Sequence, residues 1–189
     1  ETRNFDGTAY LIFQPGEEGF AGAKAMIDDG LFDRFPAEQV YALHNWPGLQ
    51  PGRIGITPGP AMAAADRIEI TIDGRGGHGA HPHLAIDPVL VAGHIITAAQ
   101  SIVSRNIYAI DEVVISVTQI HTGSASNIIP ERGWFTATIR SFSPDVRALL
   151  KKRFHEVVAG HAGAYGVTAE VDYDWGYPPT VNHADETEF

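Results

Sequence analysis

The sequence predicts an α/β protein made of two compositionally different parts, and three observations lead to this prediction. The first part places a helical segment between two short apolar runs, which is typical of a piece of an α/β sheet. A stretch rich in proline and glycine, PGLQPGRIGITPGP, interrupts this pattern. The second part has the order strand, helix, strand, strand, helix, strand, which indicates a ferredoxin-like β-α-β-β-α-β domain.

In the first part, residues 8–13 are an apolar run that predicts a strand. The segment AGAKAMIDDG, which starts at Ala21, predicts a helix that ends at Gly30. The run QVYALH predicts a second strand that ends at His44, because a proline and a glycine follow shortly after it.

In the second part, RIEITID alternates strictly between apolar and polar residues and predicts the first strand. Asp87 is a plausible N-cap for the first helix, with Pro88 at its first position. EVVISVTQI and RGWFTATIRSF predict two strands, and Ser143 then opens a second helix whose expected end is Gly166. VTAEVDYDW predicts the last strand.

These elements predict three segments, residues 1–65, 66–176 and 177–189. Both ends look cut from something longer, because the first part is only a piece of a sheet and the last segment has barely begun. The Pro/Gly stretch before Ala65 and residues 176–179 are natural hinge candidates, since they join the predicted domains.

Composition excludes several classes of partner. The chain has 13 Lys and Arg residues against 23 Asp and Glu residues, and its formal net charge is -10. No broad basic face is available to neutralise a phosphate backbone, which argues against nucleic acid as a partner. No run of 18 apolar residues predicts a membrane span, and the absence of cysteine excludes disulfides within these residues.

The segment FQPGEEG places two carboxylates, Glu17 and Glu18, side by side after the first predicted strand. Repulsion between them would disfavour ionisation of both, and a divalent cation would remove that penalty. One glutamate could then bind the metal while the other accepts a proton from an activated water, with His44 as a nearby imidazole ligand. Favourable charge near a helix N-terminus is the simpler explanation of such a pair.

Three further segments carry candidate side chains. GRGGHGAHPHLAIDP holds His78 in a histidine-rich turn, which could bind a metal but also fits packing and capping around a helix entrance. GSASNIIP places Asn127 in a turn of small residues, and TIRSF places Arg140 on a strand. A lone turn asparagine usually adopts a left-handed conformation, and a lone strand arginine usually forms a surface ion pair.

Together, FQPGEEG, ALHNWP, GRGGHGAHPHLAIDP, GSASNIIP and TIRSF resemble one family in order and spacing. It is the family of dimeric, binuclear-metal amidohydrolases and exopeptidases that includes hippurate hydrolase, the auxin-conjugate amidohydrolases, aminoacylase, succinyl-diaminopimelate desuccinylase and carboxypeptidase G. The forms LHNWP and HPHLAIDP point to the hippurate hydrolase and auxin-conjugate branch. The resemblance implies that residues 1–65 are part of a metallopeptidase-type α/β catalytic domain, that residues 66–176 are an inserted lid and dimerisation domain, and that residues 177–189 begin the return to the catalytic domain.

The resemblance also implies a role for each candidate in the first segment. Glu17 would be the general base, and Glu18 and His44 would be metal ligands. Two divalent ions, zinc or manganese, are the expected cofactors. Relatives in this branch carry further ligands, an earlier Cys and His and a late His, that this sequence does not contain. The resemblance therefore implies that the chain is an incomplete part of the enzyme and is inactive by itself.

In the second segment, the resemblance implies that His78 stabilises the oxyanion, in several relatives from across the dimer. Asn127 and Arg140 would bind substrate, with the Arg140 guanidinium suited to a carboxylate. The remaining histidines are expected to be structural: His81, His83, His94, His121, His155, His161 and His183.

The implied function is metal-dependent hydrolysis of the amide bond in N-acyl amino acids such as hippurate, by a homodimeric, cytoplasmic enzyme. Two alternatives stay open. One is a dipeptidase of the same family, and the other is a non-catalytic dimerisation or ligand-binding module built on residues 66–176, because fold alone does not define function.

Overall fold

A computed structural model describes residues 6–19 and 21–188. The chain divides into two compact units, Glu1–Ile54 and Gly55–Phe189. No helix in the described part of the chain is long and apolar enough to cross a membrane.

The secondary structure is concentrated in the second unit. The strands, in chain order, are β1 (Gly59–Met62), β2 (Ala64–Asp73), β3 (Gly77–His78), β4 (Val113–Thr122), β5 (Ile128–Ile129), β6 (Arg132–Ser141), β7 (Thr168–Asp174) and β8 (Thr180–Asn182). The helices are α1 (Gly22–Asp28), α2 (Leu31–Arg34), α3 (Pro88–Asn106), α4 (Pro144–Tyr165) and α5 (Ala184–Glu188).

The main sheet of the second unit has four strands in the order β4-β6-β2-β7. Every neighbouring pair is antiparallel. The elements from β2 through α3, β4, β6 and α4 to β7 follow the predicted order strand, helix, strand, strand, helix, strand. The helices α3 and α4 contact each other and the sheet, so the unit has two layers.

The core lies between these two layers. Ile68, Ile70 and Ile72 alternate along β2 and are fully buried, as the strict alternation of the sequence predicts. They pack in one cluster with Phe135 of β6 and Phe154 of α4. Burial of side chains of this size is the main source of stability for such a unit.

Both long helices begin at the predicted signals, and α4 also ends at its predicted stop. Asp87 precedes α3, and its carboxylate accepts hydrogen bonds from the backbone N–H groups of Val89 and Leu90 at 2.8 and 3.3 Å. Ser143 caps α4 through a longer contact of 3.5 Å. Gly166 ends α4 with a φ of +74°, a conformation that favours glycine.

Two short ribbons were not predicted. The strands β1 and β8 pair antiparallel; β1 begins at the end of the Pro/Gly stretch, and β8 lies in the final segment of the chain. The strands β3 and β5 also pair antiparallel, within the histidine-rich turn and the turn that contains Asn127. Elements of two to four residues are too short to show alternation in a sequence.

The strands predicted at residues 8–13 and 39–44 are wrong, since neither segment is a strand in the structure. Leu11, Phe13 and Leu43 are 84%, 86% and 89% exposed. A strand is stable when its backbone N–H and C=O groups pair with a neighbour, and no described residue pairs with these segments in a sheet.

Candidate active site

Glu17 and Glu18 lie in an exposed turn of the first unit. The backbone N–H of Gly19 donates to the Glu17 carbonyl at 2.8 Å and closes the turn. The chain before the turn lies against the start of α1, because a Cβ atom on Gly22 would stand 1.6 Å from the Pro15 carbonyl oxygen. Only glycine permits this approach.

The environment of the two glutamates differs from the expected end of a buried strand, since both are exposed. The simpler explanation, charge near a helix N-terminus, is not supported either. The helix α1 begins at Gly22 and has no acidic residue in its first turn, and the dipole effect falls off within that turn. Among the described residues, neither a buried strand end nor the first turn of α1 accounts for the pair.

His44 is exposed, and one of its ring nitrogens has a backbone partner. The ring Nδ1 lies 2.6 Å from the Asn45 carbonyl oxygen, which can only accept, so Nδ1 donates. The lone pair of Nε2 is then free. A metal-binding histidine commonly donates one ring N–H to a backbone carbonyl and binds through the other nitrogen.

The donor types of Glu17, Glu18 and His44 suit a divalent metal ion, but their number is insufficient. Within the described residues, no group of three or more His, Cys, Asp or Glu side chains is placed to hold a metal ion. A catalytic zinc has three protein ligands. These three residues therefore do not form a complete metal site by themselves.

The structure brings His78 and Asn127 together. The ribbon of β3 and β5 pairs His78 with Ile128, the neighbour of Asn127. The Gly79 N–H donates to the Asn127 carbonyl at 2.7 Å, and a Cβ atom on Gly79 would stand 3.1 Å from that oxygen. Asn127 does not have positive φ, so the left-handed role that a lone turn asparagine usually has does not explain it.

The hydrogen bonds of His78 leave one ring N–H available. The backbone N–H of Ala80 donates to His78 Nδ1 at 3.1 Å. A neutral imidazole that accepts at Nδ1 carries its proton on Nε2. His78 can therefore donate a hydrogen bond to an oxygen atom that gains negative charge.

Arg140 lies on β6 and is exposed. Its Nη1 donates to the Thr138 hydroxyl at 2.6 Å and to the Ile139 carbonyl at 3.0 Å. No salt bridge to Arg140 is present among the described residues, so the surface ion pair that a lone strand arginine usually forms does not account for it. Its Nε and Nη2 make no contact with an acid and could bind a ligand carboxylate.

These candidates of the second unit do not converge in one chain. Gly74 donates to the Glu131 carbonyl at 2.8 Å, so the turn that carries His78 leaves the sheet at the end where β6 starts. Arg140 is paired with Ala65 near the other end of β6. Arg140 lies eight residue steps along the strand from Arg132, which is a length of about 26 Å.

A pair of charged residues that the sequence analysis missed lies at the base of this turn. Arg132 donates to the two Asp73 carboxylate oxygens at 2.5 and 3.0 Å. The hydrogen bonds from Arg132 hold the pKa of Asp73 below its ordinary value, and they raise the pKa of Arg132. Asp73 ends one predicted strand and Arg132 begins another, and the two residues are paired in the sheet. Their places at these strand ends were the signal that the sequence offered.

Similar solved structures indicate the class of protein to which the chain belongs. Among solved structures, the chain is similar to a putative aminohydrolase from methicillin-resistant Staphylococcus aureus, with a TM-score of 0.84 and 27% identity over 93% of this chain and 45% of that chain. It is also similar to a dinuclear metal-binding peptidase of the M20 family from Bacillus subtilis, with a TM-score of 0.69 and 31% identity over 93% of this chain and 43% of the other. The class is a mixed α/β hydrolase of peptidase type.

The family follows from the sequence. Residues 1–189 match the model described as peptidase family M20/M25/M40, and the chain belongs to this family. It is 39% identical to the N-acetylcysteine deacetylase of Bacillus subtilis over 94% of this chain and 46% of that protein. It is 36% identical to the hippurate hydrolase of Campylobacter jejuni over 100% of this chain and 49% of that protein. The resemblance stated from the motifs is confirmed, and the chain spans about half the length of these relatives.

Proposed function

We propose that this chain is part of a metal-dependent amidohydrolase that cleaves the amide bond of N-acyl amino acids. The observation that carries the proposal is the placement of His78 beside Asn127 with a ring N–H free to donate. Amide hydrolysis needs such a donor, because negative charge develops on the carbonyl oxygen in the transition state. The names of the relatives, a deacetylase and a hippurate hydrolase, support an N-acyl amino acid as the substrate.

The exposed glutamates supply the remaining chemistry in this proposal. Glu18 and His44 would hold metal, together with ligands that the described residues do not contain. Two divalent ions, zinc or manganese, would activate a water molecule there. Glu17 would accept a proton from the activated water and would pass it to the departing nitrogen. The dinuclear metal-binding relative supports the number of ions.

The proposal assigns residues 66–176 to a ferredoxin-like lid and dimerisation domain, between the catalytic segments 1–65 and 177–189. The strand order β4-β6-β2-β7 and the two helices support this assignment. Arg140 binds the carboxylate of the substrate through its guanidinium fork, and Asn127 contacts the substrate beside His78. Movement of the lid would exclude water from the reacting groups.

The edges of the sheet support a homodimer formed through β4. The two edge strands are β4 and β7. The sequence of β4, VVISVTQIHT, has no acidic or basic residue apart from His121, whereas β7 carries Glu170, Asp172 and Asp174. Two copies of β7 would bring like charges together, which disfavours pairing. A β4 edge has no such barrier.

A dimer would also resolve the separation of the lid residues. His78 and Arg140 lie toward opposite ends of the sheet in one chain. We infer that one active site uses Arg140 from its own subunit and His78 with Asn127 from the partner subunit. This arrangement would not require His78 and Arg140 of one chain to meet at the same substrate.

The test of the proposal is Glu17→Gln in a protein that spans the full length of the relatives. Turnover of hippurate and N-acetyl amino acids should fall by about 100- to 10,000-fold, because general base catalysis is lost. The bound metal content should stay unchanged. Glu38→Gln, at an exposed glutamate of the same unit, is the matched control and should keep full activity. Retained turnover in Glu17→Gln would end the assignment.

A non-catalytic binding or dimerisation module is the second candidate, because the buried hydrophobic side chains of the described residues lie within the second unit. This candidate predicts no metal-dependent hydrolysis by the full-length protein, whereas our proposal predicts hydrolysis by that protein and none by the 189-residue chain alone. A dipeptidase activity would appear in the same assay as preference for dipeptides over N-acyl amino acids.

A further inference from the structure

A buried ion pair joins the start of the sheet to α4. Asp66, on β2, is only 2% exposed. Its carboxylate accepts hydrogen bonds from the Arg147 guanidinium, with Nε at 2.8 Å from Oδ2 and Nη2 bonded to Oδ1. The Tyr173 hydroxyl donates to the same carboxylate at 3.2 Å, and the Gly176 N–H donates at 3.1 Å. A buried carboxylate with this many donors is well compensated.

Arg147 also holds the segment that follows β7. Its Nη2 donates to the Gly176 carbonyl at 2.8 Å and to the Tyr177 carbonyl at 3.4 Å. The guanidinium carbon lies 4.7 Å from the centre of the Trp175 ring, which favours a cation. The hydrogen bonds to Asp66 raise the pKa of Arg147. One planar fork therefore connects a carboxylate on β2 with two carbonyls beyond β7.

The backbone reinforces this connection. The Ala65 N–H donates to the Tyr177 carbonyl at 3.1 Å. A Cβ atom on Gly176 would stand 1.7 Å from the Ala65 carbonyl oxygen, so the two segments approach to a distance that only glycine permits. The segment that leads into β2 and the segment that leaves β7 are thus bonded to each other and to α4.

The chain beyond these contacts is held more weakly. The ribbon of β1 and β8 has three paired positions, with a register shift between Pro60 and Met62. Its residues are mostly exposed. Gly59 begins the ribbon with a φ of +79°. Short exposed ribbons with few paired groups open more easily than a buried sheet.

We propose that Asp66 and Arg147 form an anchor that makes residues 64–66 and 176–177 part of the rigid sheet domain. Bending of the segments that enter and leave this domain is then confined to the ribbon of β1 and β8. Gly176, a hinge candidate by sequence, lies on the rigid side of this boundary. Ala65 is the strand partner of Arg140, so the anchor also fixes the position of Arg140. The importance of that position for substrate binding rests on the proposed function.

Amide hydrogen exchange of the 189-residue chain, followed by NMR, tests the boundary without any assay of activity. The amides of Ala65 and Gly176 should be protected to within about tenfold of the Ile70 amide in the central strand. The amides of the β1 and β8 ribbon should exchange at least about 100-fold faster than Ile70. Exchange of Ala65 and Gly176 at the rates of the ribbon would overturn the proposal.

Substitutions of Arg147 test whether its ion pair with Asp66 protects the Ala65 and Gly176 amides. Arg147→Gln should raise the exchange rates of Ala65 and Gly176 relative to Ile70 by about tenfold or more, and Arg147→Lys should have a smaller effect, because lysine keeps the charge but not the fork. Arg153→Gln is the control on the same helix, since Arg153 bonds to Asn106 and Glu156. If Arg147→Gln does not fold, the lysine variant and the wild-type rates decide. Equal effects of Arg147→Gln and Arg153→Gln, or exchange of Ala65 and Gly176 at ribbon rates in the wild type, would contradict the anchor.

Discussion

The two units of the chain differ in where their apolar side chains lie. In Gly55–Phe189, isoleucine and phenylalanine side chains from the sheet and both long helices are fully buried in one cluster. In Glu1–Ile54, the apolar runs around Leu11 and Leu43 are exposed, although their sequences are as apolar as those of the sheet. An apolar run therefore forms a strand only when a neighbouring strand is available to pair with it.

The two units also differ in how the candidate site residues are placed. The unit with a complete core carries His78, Asn127 and Arg140 at defined positions of a folded sheet domain. The other unit carries Glu17, Glu18 and His44 on exposed segments, with donor types suited to a metal and too few of them. Mutations of buried apolar side chains should therefore affect stability mainly in the second unit.

The largest contrast is expected for truncation of a phenylalanine in each unit. Phe154→Ala removes a fully buried ring from α4 and should lower the free energy of unfolding by about 3–5 kcal/mol. Phe13→Ala, at an exposed ring, should change it by no more than about 0.5 kcal/mol. Urea denaturation of the 189-residue chain measures both, and equal losses would show that the first unit has a core of its own.

A second contrast uses a glycine in each unit. Gly176→Ala forces apart two segments that are bonded to α4, because the added carbon would lie 1.7 Å from the Ala65 oxygen, and it should cost about 1–3 kcal/mol. Gly22→Ala creates a similar overlap with Pro15, but that turn is exposed and can move away. Thermal unfolding should show the larger loss for Gly176→Ala, and the reverse order would contradict the rigid anchor.

The smallest effect concerns the exposed pair of Asp73 and Arg132 and its dependence on pH. Because Arg132 lowers the pKa of Asp73 in the folded state, the pair contributes stability at pH values above the ordinary Asp value of 3.8. This contribution is lost as the pH falls through the lower folded-state pKa. Asp73→Asn should therefore be less stable than wild type near neutral pH.

In more acidic solution, at about pH 2, the difference in stability between Asp73→Asn and wild type should shrink. Paired chemical denaturation curves at the two pH values measure it. A difference that grows in acid would mean that Arg132 does not depress the pKa of Asp73.

Local signals explain what the sequence could predict of the fold. The alternation in β2, the caps at Asp87 and Ser143 and the stop at Gly166 each depend on residues within a few positions of one another. The register shift in β4 and the short ribbons depend on pairing partners far along the chain. The bond between Asp66 and Arg147 joins residues 81 positions apart, and no local pattern indicates it.

The candidate site could likewise be predicted only in part from the sequence. The motifs identified Glu17, Glu18, His44, His78, Asn127 and Arg140 through a family resemblance, and the family is confirmed. The sequence did not indicate that His78 and Asn127 share one ribbon, or that Arg140 lies toward the other end of the sheet. Those relations come from sheet register, which the spacing of motifs does not encode.

We propose, as the central point of the proposed function, that this chain supplies Glu17 to one active site and His78 to the site of its partner subunit. The most direct test mixes two full-length variants, Glu17→Gln and His78→Ala, each inactive by itself, under conditions that exchange subunits. We predict recovery of about one quarter of wild-type turnover, because half of the dimers are mixed and each mixed dimer has one intact site. No recovery, with mixed dimers shown to form, would contradict the claim.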